Sequence, residues 1–273
     1  MDKNIFEFYN NFIKIPFGDN ESRIKSKEKI FSKQIEDNTL YKYISFGLDE
    51  ILNEKKLQAL QNGQLWFAAH YTLRNNDPSE FEVKANLARV AKATNNTIPY
   101  TAYMLNQIRE LNDLCCMSTR LEEYMWINYA NNHSGCCCVF EIENVDMLWP
   151  VIYCDKSKTD FTYDVIQALK KPNFENLSVY KIAYISPVLK DEKKYGNEQE
   201  IRLLCGDAYD SEDGPLGGKI MAGKKEALGY TGTYYSYQTC GLSLKKIIIG
   251  KNTTRTIIDR LNELNLGVQV ELE

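Results

Sequence analysis

Hydrophobic positions along the 273-residue chain change their period repeatedly, and each change marks an element. At 40–46, Leu-Tyr-Lys-Tyr-Ile-Ser-Phe is rich in aromatic and β-branched residues and ends at Gly47, which predicts a strand. Leu48, Ile51, Leu52, Leu57 and Leu60 then recur at helical spacing, predicting a helix over 48–62 stopped by Gly63. A second strand is expected at 65–69. Asp77 and Pro78 follow as cap and first residue of a new helix, with 79–111 mainly helical and broken near 95–99. A buried strand is predicted at 114–118, a helix over 121–132, and a strand at 136–142 that pairs with 150–154. Helix at 159–171 and strands near 179–186, 199–205 and 229–238 come next. The C-terminal part reads as strand 246–250, helix 254–264 and strand 268–272. This irregular mixture predicts an α+β fold, a mixed and mainly antiparallel sheet core with flanking helices, rather than a doubly wound sheet. Residues 1–39 are polar apart from clustered Phe6, Phe8, Tyr9 and Phe12, so they read as a helical N-terminal extension on a single α+β domain of 40–273.

Composition narrows the function classes. With 44% hydrophobic and 26% charged residues the chain can bury a sizeable core. Its formal charge of -4 argues against a globally basic nucleic-acid binder and leaves a local basic groove open. No stretch of about 18 apolar residues exists to span a bilayer, and the N-terminus lacks a secretory h-region. A cytoplasmic protein without membrane attachment is the expectation. The eight cysteines include Cys115-Cys116 and Cys136-Cys137-Cys138 but no C-x-x-C knuckle. They read as small buried hydrophobes in a reducing compartment, with Cys136 to Cys138 split between two faces of a strand; a metal site is the lesser alternative.

Three segments could carry chemistry. Glu122, Trp126, Tyr129 and His133 share one face of the predicted helix, either as a hydrogen-bonded core seam or as a pocket wall. His133 is one of two histidines, with His70. In an extended strand Glu198, Glu200 and Arg202 share one face, either a solvated ion pair or a carboxylate pair held at different pKa values. Asn76-Asp77-Pro78-Ser79-Glu80 has the composition of a helix start, which alone accounts for it. The Gly- and Lys-bearing stretch 214–220 departs from a phosphate-binding loop in spacing and in Ile220, and reads as a surface loop with Lys219, Lys224 and Lys225 as a small basic patch. Tyr230, Tyr234, Tyr235 and Tyr237 could stack bases, or form one packed face of a hairpin.

The blocks L-Y-K-Y-I-S-F at 40–46, L-W-F-A at 65–68, N-D-P-S-E at 76–80, C-C-M-S at 115–118, M-W-x-x-Y-A-x-x-H-x-G from Met125 to Gly135, E-Q-E-I-R-L at 198–203 and L-K-K-I-I-I-G at 244–250 carry a resemblance. Together they resemble a bacterial family of unknown function, domain of unknown function twenty-nine seventy-one, over about 40–250. The order of parts also looks like a distant cousin of the ADP-ribosyltransferase fold found in phage-defence toxins. That resemblance implies NAD as substrate and transfer of ADP-ribose to a nucleic acid or protein, in stress or phage defence. It implies that Glu200 hydrogen-bonds the nicotinamide ribose and that Glu198 orients the acceptor. Tyr41, Lys42 and Tyr43 would border the NAD pocket, Ser118 its strand edge, and Tyr129 or His133 its floor. His133 joins Glu198 and Glu200 as a candidate catalytic residue, and Trp126, Asn76, Asp77, Glu80 and Arg202 complete the candidate cofactor-binding set. Lys42 stands where those transferases carry His or Arg, so the paired geometry of those side chains is missing. The alternative is a non-catalytic nucleotide- or partner-binding module of the same fold; a nucleic-acid processor independent of NAD is a third.

Overall fold

The computed structural model describes residues 3–16, 18–109, 112–171, 177–205 and 229–273. The expected surface loop at 214–220 and its lysines lie outside the described residues. Eleven α-helices and eleven strands are described: α1 (Lys3–Phe12), α2 (Asn20–Phe31), β1 (Thr39–Ser45), α3 (Glu50–Gln61), β2 (Gln64–Ala69), α4 (His70–Asn76), α5 (Leu87–Thr94), α6 (Ile98–Arg109), β3 (Asp113–Ser118), α7 (Glu123–Tyr129), β4 (Gly135–Ile142), β5 (Leu148–Pro150), β6 (Ile152–Cys154), α8 (Thr162–Lys170), α9 (Leu177–Ile185), β7 (Leu189–Asp191), α10 (Glu192–Tyr195), β8 (Glu200–Cys205), β9 (Gly232–Ser236), β10 (Leu242–Ile249), α11 (Arg255–Glu263) and β11 (Gln269–Leu272). The class is α+β with a mixed, mostly antiparallel sheet, as the sequence pattern predicts.

Strand β4 sits between β1 and β10, paired antiparallel to both. Its cysteines alternate as the pleat demands: Cys136 and Cys138 enter the main core with Phe140, while Cys137 packs on the opposite face with Tyr43, Trp126 and Ile248. All eight cysteines are free. Beyond β10 the sheet ends in the parallel strand β11. On the other side, β3 pairs with β8 along its whole length, from Asp113↔Cys205 to Ser118↔Glu200. Its remaining edge is divided: Ser118 meets Tyr41 of β1 at one end, and Asp113 and Leu114 meet β2 at the other. The strands β1 and β2 therefore fan apart along one edge of β3.

The N-terminal helices share the main core, because Phe8, Tyr9 and Phe12 are buried there and the Tyr9 hydroxyl donates to Pro150 O at 2.7 Å. Lys27 of α2 lies over the Trp149 ring at 4.0 Å.

Four local expectations are corrected. The helix predicted from Pro78 does not form; Asp77 instead ends α4, and 78–86 stay non-helical until α5. The reason is tertiary: Phe81 is completely buried at φ 56 and Glu80 is drawn onto Arg202, both incompatible with a continuing helix. The segment near 179–186 is helix α9, not a strand; Val179, Ile182 and Ala183 bury one helical face, which a short apolar run leaves ambiguous. The stretch 150–154 does not pair with β4; β5 pairs with β8, and β6 runs parallel to β7. The late tyrosines do not form one hairpin face, because β9 pairs with β2 and, among the described residues, with no other strand. Tyr235 and Tyr237 meet Phe67 and Phe140, whereas Tyr234 stacks edge-on against Trp66.

Gly135 opens β4 where a Cβ would stand 2.1 Å from the Ile44 carbonyl oxygen. Gly135→Ala is expected to lower stability in urea titration by about 1–3 kcal/mol through overpacking. Gly47→Ala, where a Cβ meets nothing within 4 Å, serves as the near-neutral control.

Candidate functional site

Where β1 and β3 part beyond the Tyr41–Ser118 contact, a cavity of about 310 Å³ opens. Each wall comes from a different element. Tyr41, Lys42 and Tyr43 project from β1; Cys116 and Ser118 from β3; Met125 and Tyr129 from α7; Lys190 from β7; Tyr195 from α10; Glu198 and Glu200 from the entry to β8; and Asp77 and Glu80 from the turn after α4. Lys42 Nζ donates to the Cys116 carbonyl at 2.9 Å, tying the diverging strands together. Ser118 Oγ bridges back to Glu198 O at 3.2 Å and Arg120 O at 3.1 Å. Gln199 takes a left-handed φ of 46, so Glu198 leaves the strand pleat and both carboxylates turn inward.

Behind the cavity lies a buried ionic cluster. Arg202 is 1% exposed. Its guanidinium meets Glu80 in a bidentate pair at 2.9 and 2.9 Å and reaches Glu200 through Nε at 2.8 Å. Lys190 Nζ hydrogen-bonds Glu198, stands 2.7 Å from Glu200 and 3.7 Å from Glu80, and lies 4.5 Å above the Tyr195 ring. Tyr129 donates its hydroxyl to Glu198, and the Glu200 backbone N–H donates to Tyr153 Oη at 2.8 Å. Asp77 accepts from the Tyr195 hydroxyl and, at 3.0 Å, from the Ser79 N–H. Burial opposes its charge, yet those hydrogen bonds and nearby Lys194 hold the Asp77 carboxyl at about 2.

Three carboxylates against two cations leave one negative charge in excess, and the surroundings decide where it is weakest. Burial pushes the Glu200 carboxyl upward, but Arg202 and Lys190 overcome it and hold the group below the usual carboxylate range. Glu198 moves the other way. Burial raises it and the Glu200 charge adds to the rise, which Lys190, shared among three acids, only partly offsets. Two neighbouring carboxyls are thereby set apart, one firmly ionised and one that holds its proton longer, as an acid–base pair requires. The phenol of Tyr129 is held neutral by burial and by Glu198.

Most of the sequence-derived candidates meet here: Tyr41, Lys42, Tyr43, Ser118, Tyr129, Asp77, Glu80, Glu198 and Glu200 all line the cavity. The alternative of a solvated ion pair at Glu198, Glu200 and Arg202 is overturned, since all three are buried. Arg202 stands behind the cavity rather than in its wall. Asn76 ends α4 beside Asp77.

His133 and Trp126 are the exceptions. The helix expected over 121–132 stops at Tyr129, and Asn131, Asn132 and His133 all adopt left-handed backbone. His133 therefore leaves the helix face it was expected to share, and does not line the cavity. Its ring stacks on Trp126 at 5.5 Å, and Trp126 in turn meets Tyr43 edge-on at 5.2 Å. The indole thus stands between imidazole and cavity wall as a packing layer. The His133 ring nitrogens face Glu273 at 2.6 Å and Glu123 at 3.0 Å. These three residues place their ligand atoms within 4.8 Å of one another, the spacing of a metal trio, but both imidazole nitrogens already meet a carboxylate.

Sequence reasoning missed Lys190, Tyr153 and Tyr195. A charge count contained the signal for Lys190: three buried acids with only Arg202 to face them required a second buried cation.

Glu200→Gln is expected to destabilise the fold by about 1–3 kcal/mol, because it weakens charge-assisted hydrogen bonds to Arg202 and Lys190, each of which keeps another carboxylate. The sign with pH follows from the directions above. The lowered Glu200 contributes stability that is present above the ordinary glutamate range and lost as pH falls through its folded value. The raised Glu198 contributes stability that is present in acid and lost as pH rises through its folded value. Thermal denaturation across pH should show Glu198→Gln removing the loss on the alkaline side and Glu200→Gln removing the loss on the acid side.

No protein-family model, no curated protein and no solved structure matches this chain.

Proposed function

We propose that the cavity is a catalytic pocket for N-glycosyl transfer of the ADP-ribosyltransferase type, with NAD as donor and a nucleic acid or protein as acceptor. The observation that supports it is the meeting of a firmly ionised Glu200 and a proton-retaining Glu198 with Tyr41, Lys42, Tyr43 and Ser118 on one cavity. At about 310 Å³ it lies at the small end of ligand sites, roughly 300–1,000 Å³. It suits the nicotinamide–ribosyl half of the dinucleotide and leaves the adenosine half outside.

In this reading the C1′–N bond of the nicotinamide riboside breaks and its electron pair leaves with neutral nicotinamide. The positive charge passes to the ribosyl C1′. Glu200 accepts a ribose hydroxyl hydrogen bond and faces the developing cation; Arg202 and Lys190 hold it in place, so no reorganisation is needed at that moment. The acceptor attacks C1′ and gives its proton to Glu198 in its ionised form, whose raised affinity for protons makes it a stronger base than an ordinary carboxylate.

The close pairing of Glu200 with both Arg202 and Lys190 favours one second reading, a binding pocket without turnover. Incubation of the purified protein with NAD, with nicotinamide release measured by chromatography and ADP-ribose transfer followed in lysate, separates the two. Turnover is expected, reduced about 100-fold or more in Glu198→Gln and Glu200→Gln and little changed in His133→Gln. Saturable NAD binding with no nicotinamide released assigns the pocket to binding alone.

A further inference from the structure

A second concave feature lies outside the acid cavity, in a groove of about 640 Å³ between the 82–89 segment, α6 and the start of α8. Its described ionisable lining is unbalanced, with Arg74, Lys84, Arg89 and Arg109 against Glu82 and Asp160. The Asp160 carboxylate accepts the Thr162 N–H at 2.9 Å and lies near enough to Arg89 to offset part of its charge. Lys84 and Arg89 are exposed.

Arg109 is the anomaly. It is 8% exposed, yet among the described residues no carboxylate pairs with it. Its two terminal nitrogens donate only to neutral oxygens, Asn106 Oδ1 and Val83 O, each at 3.1 Å. Its Nε is buried with no hydrogen-bond partner. A buried guanidinium left in this state is costly, and native structures ordinarily match one with a carboxylate or an anion. Burial, then the neighbouring charge of Arg74, brings the guanidinium down to about 10, against which Glu82 is an incomplete counterweight. Two hydrogen bonds fasten one wall: Phe161 N donates to Lys84 O at 2.8 Å and Asn86 N to Thr162 Oγ1 at 2.8 Å, joining the 84–86 segment to the start of α8.

We propose that this groove is an oxyanion site that binds the phosphate of a phosphate-bearing ligand, with Arg109 at its base and Arg74, Lys84 and Arg89 along its rim. Planar guanidinium groups match phosphate oxygens in pairs, and exposed lysine adds a point charge. The proposal stands apart from the reading of the acid cavity, because it rests on different residues.

Isothermal titration of the full chain with pyrophosphate, and separately with a short single-stranded oligonucleotide, tests it at low and high ionic strength. Saturable binding of pyrophosphate is expected, weakened by salt. The Lys84→Gln/Arg89→Gln double variant, at two exposed positions outside the core, should lose about ten-fold or more in affinity. Arg109→Gln should abolish binding; because Arg109 is buried, its thermal melt is measured alongside. An oligonucleotide that binds more than ten-fold tighter, with a steeper salt dependence, identifies a polynucleotide as the source of the phosphate; equal affinities identify a free nucleotide or phosphate. No saturable binding of either probe at low salt, or binding unchanged in the double variant, overturns the proposal.

Discussion

Arg202 sits within strand β8 with almost no access to water, and its charge has to be met by protein. That requirement organises the centre of the molecule. Glu80 must come from a turn far earlier in the chain, Glu200 from the same strand, and Lys190 from a separate two-stranded ribbon to share the acids that one guanidinium cannot balance. Buried ion pairs of this kind contribute little net stability compared with apolar packing, but a missing partner is severely destabilising. The cluster therefore works as a constraint on which segments can meet, and the cavity is the space left at its open end.

The same constraint explains why the sequence was legible in some places and not in others. Strands β1, β3, β4 and β10 follow from apolar and β-branched runs, and the division of Cys136, Cys137 and Cys138 between two faces follows from the pleat alone. The Asp77–Glu80 segment has every local mark of a helix start, yet local propensity yields to the pull of Arg202 on Glu80 and to the burial of Phe81. Likewise α9 and a strand are equally consistent with its short apolar run until α8 packs against it.

At the site, the residue types were readable and their grouping only partly. Glu198 and Glu200 were recognisable as a pair, but the inward turn of Glu198 depends on the left-handed backbone at Gln199, which nothing nearby announces. His133 shows the reverse: its spacing from Trp126 and Tyr129 was correct for one helical face, and three consecutive left-handed residues removed it from that face. Periodicity describes where side chains point only while the backbone keeps its period.

The chain from Asp77 to Asn86 has a further implication. It has neither helix nor strand, yet its first part supplies Glu80 to the ionic cluster and its last part is fastened to the start of α8 beside Arg109. Two charged regions of opposite sign are thus joined by ten residues of irregular backbone under restraint at both ends. If occupancy of one region displaces this connector, linkage requires that the affinity of the other change by the same factor. A segment that looks like mere punctuation between two helices is then the natural place for communication across the molecule to be transmitted or interrupted.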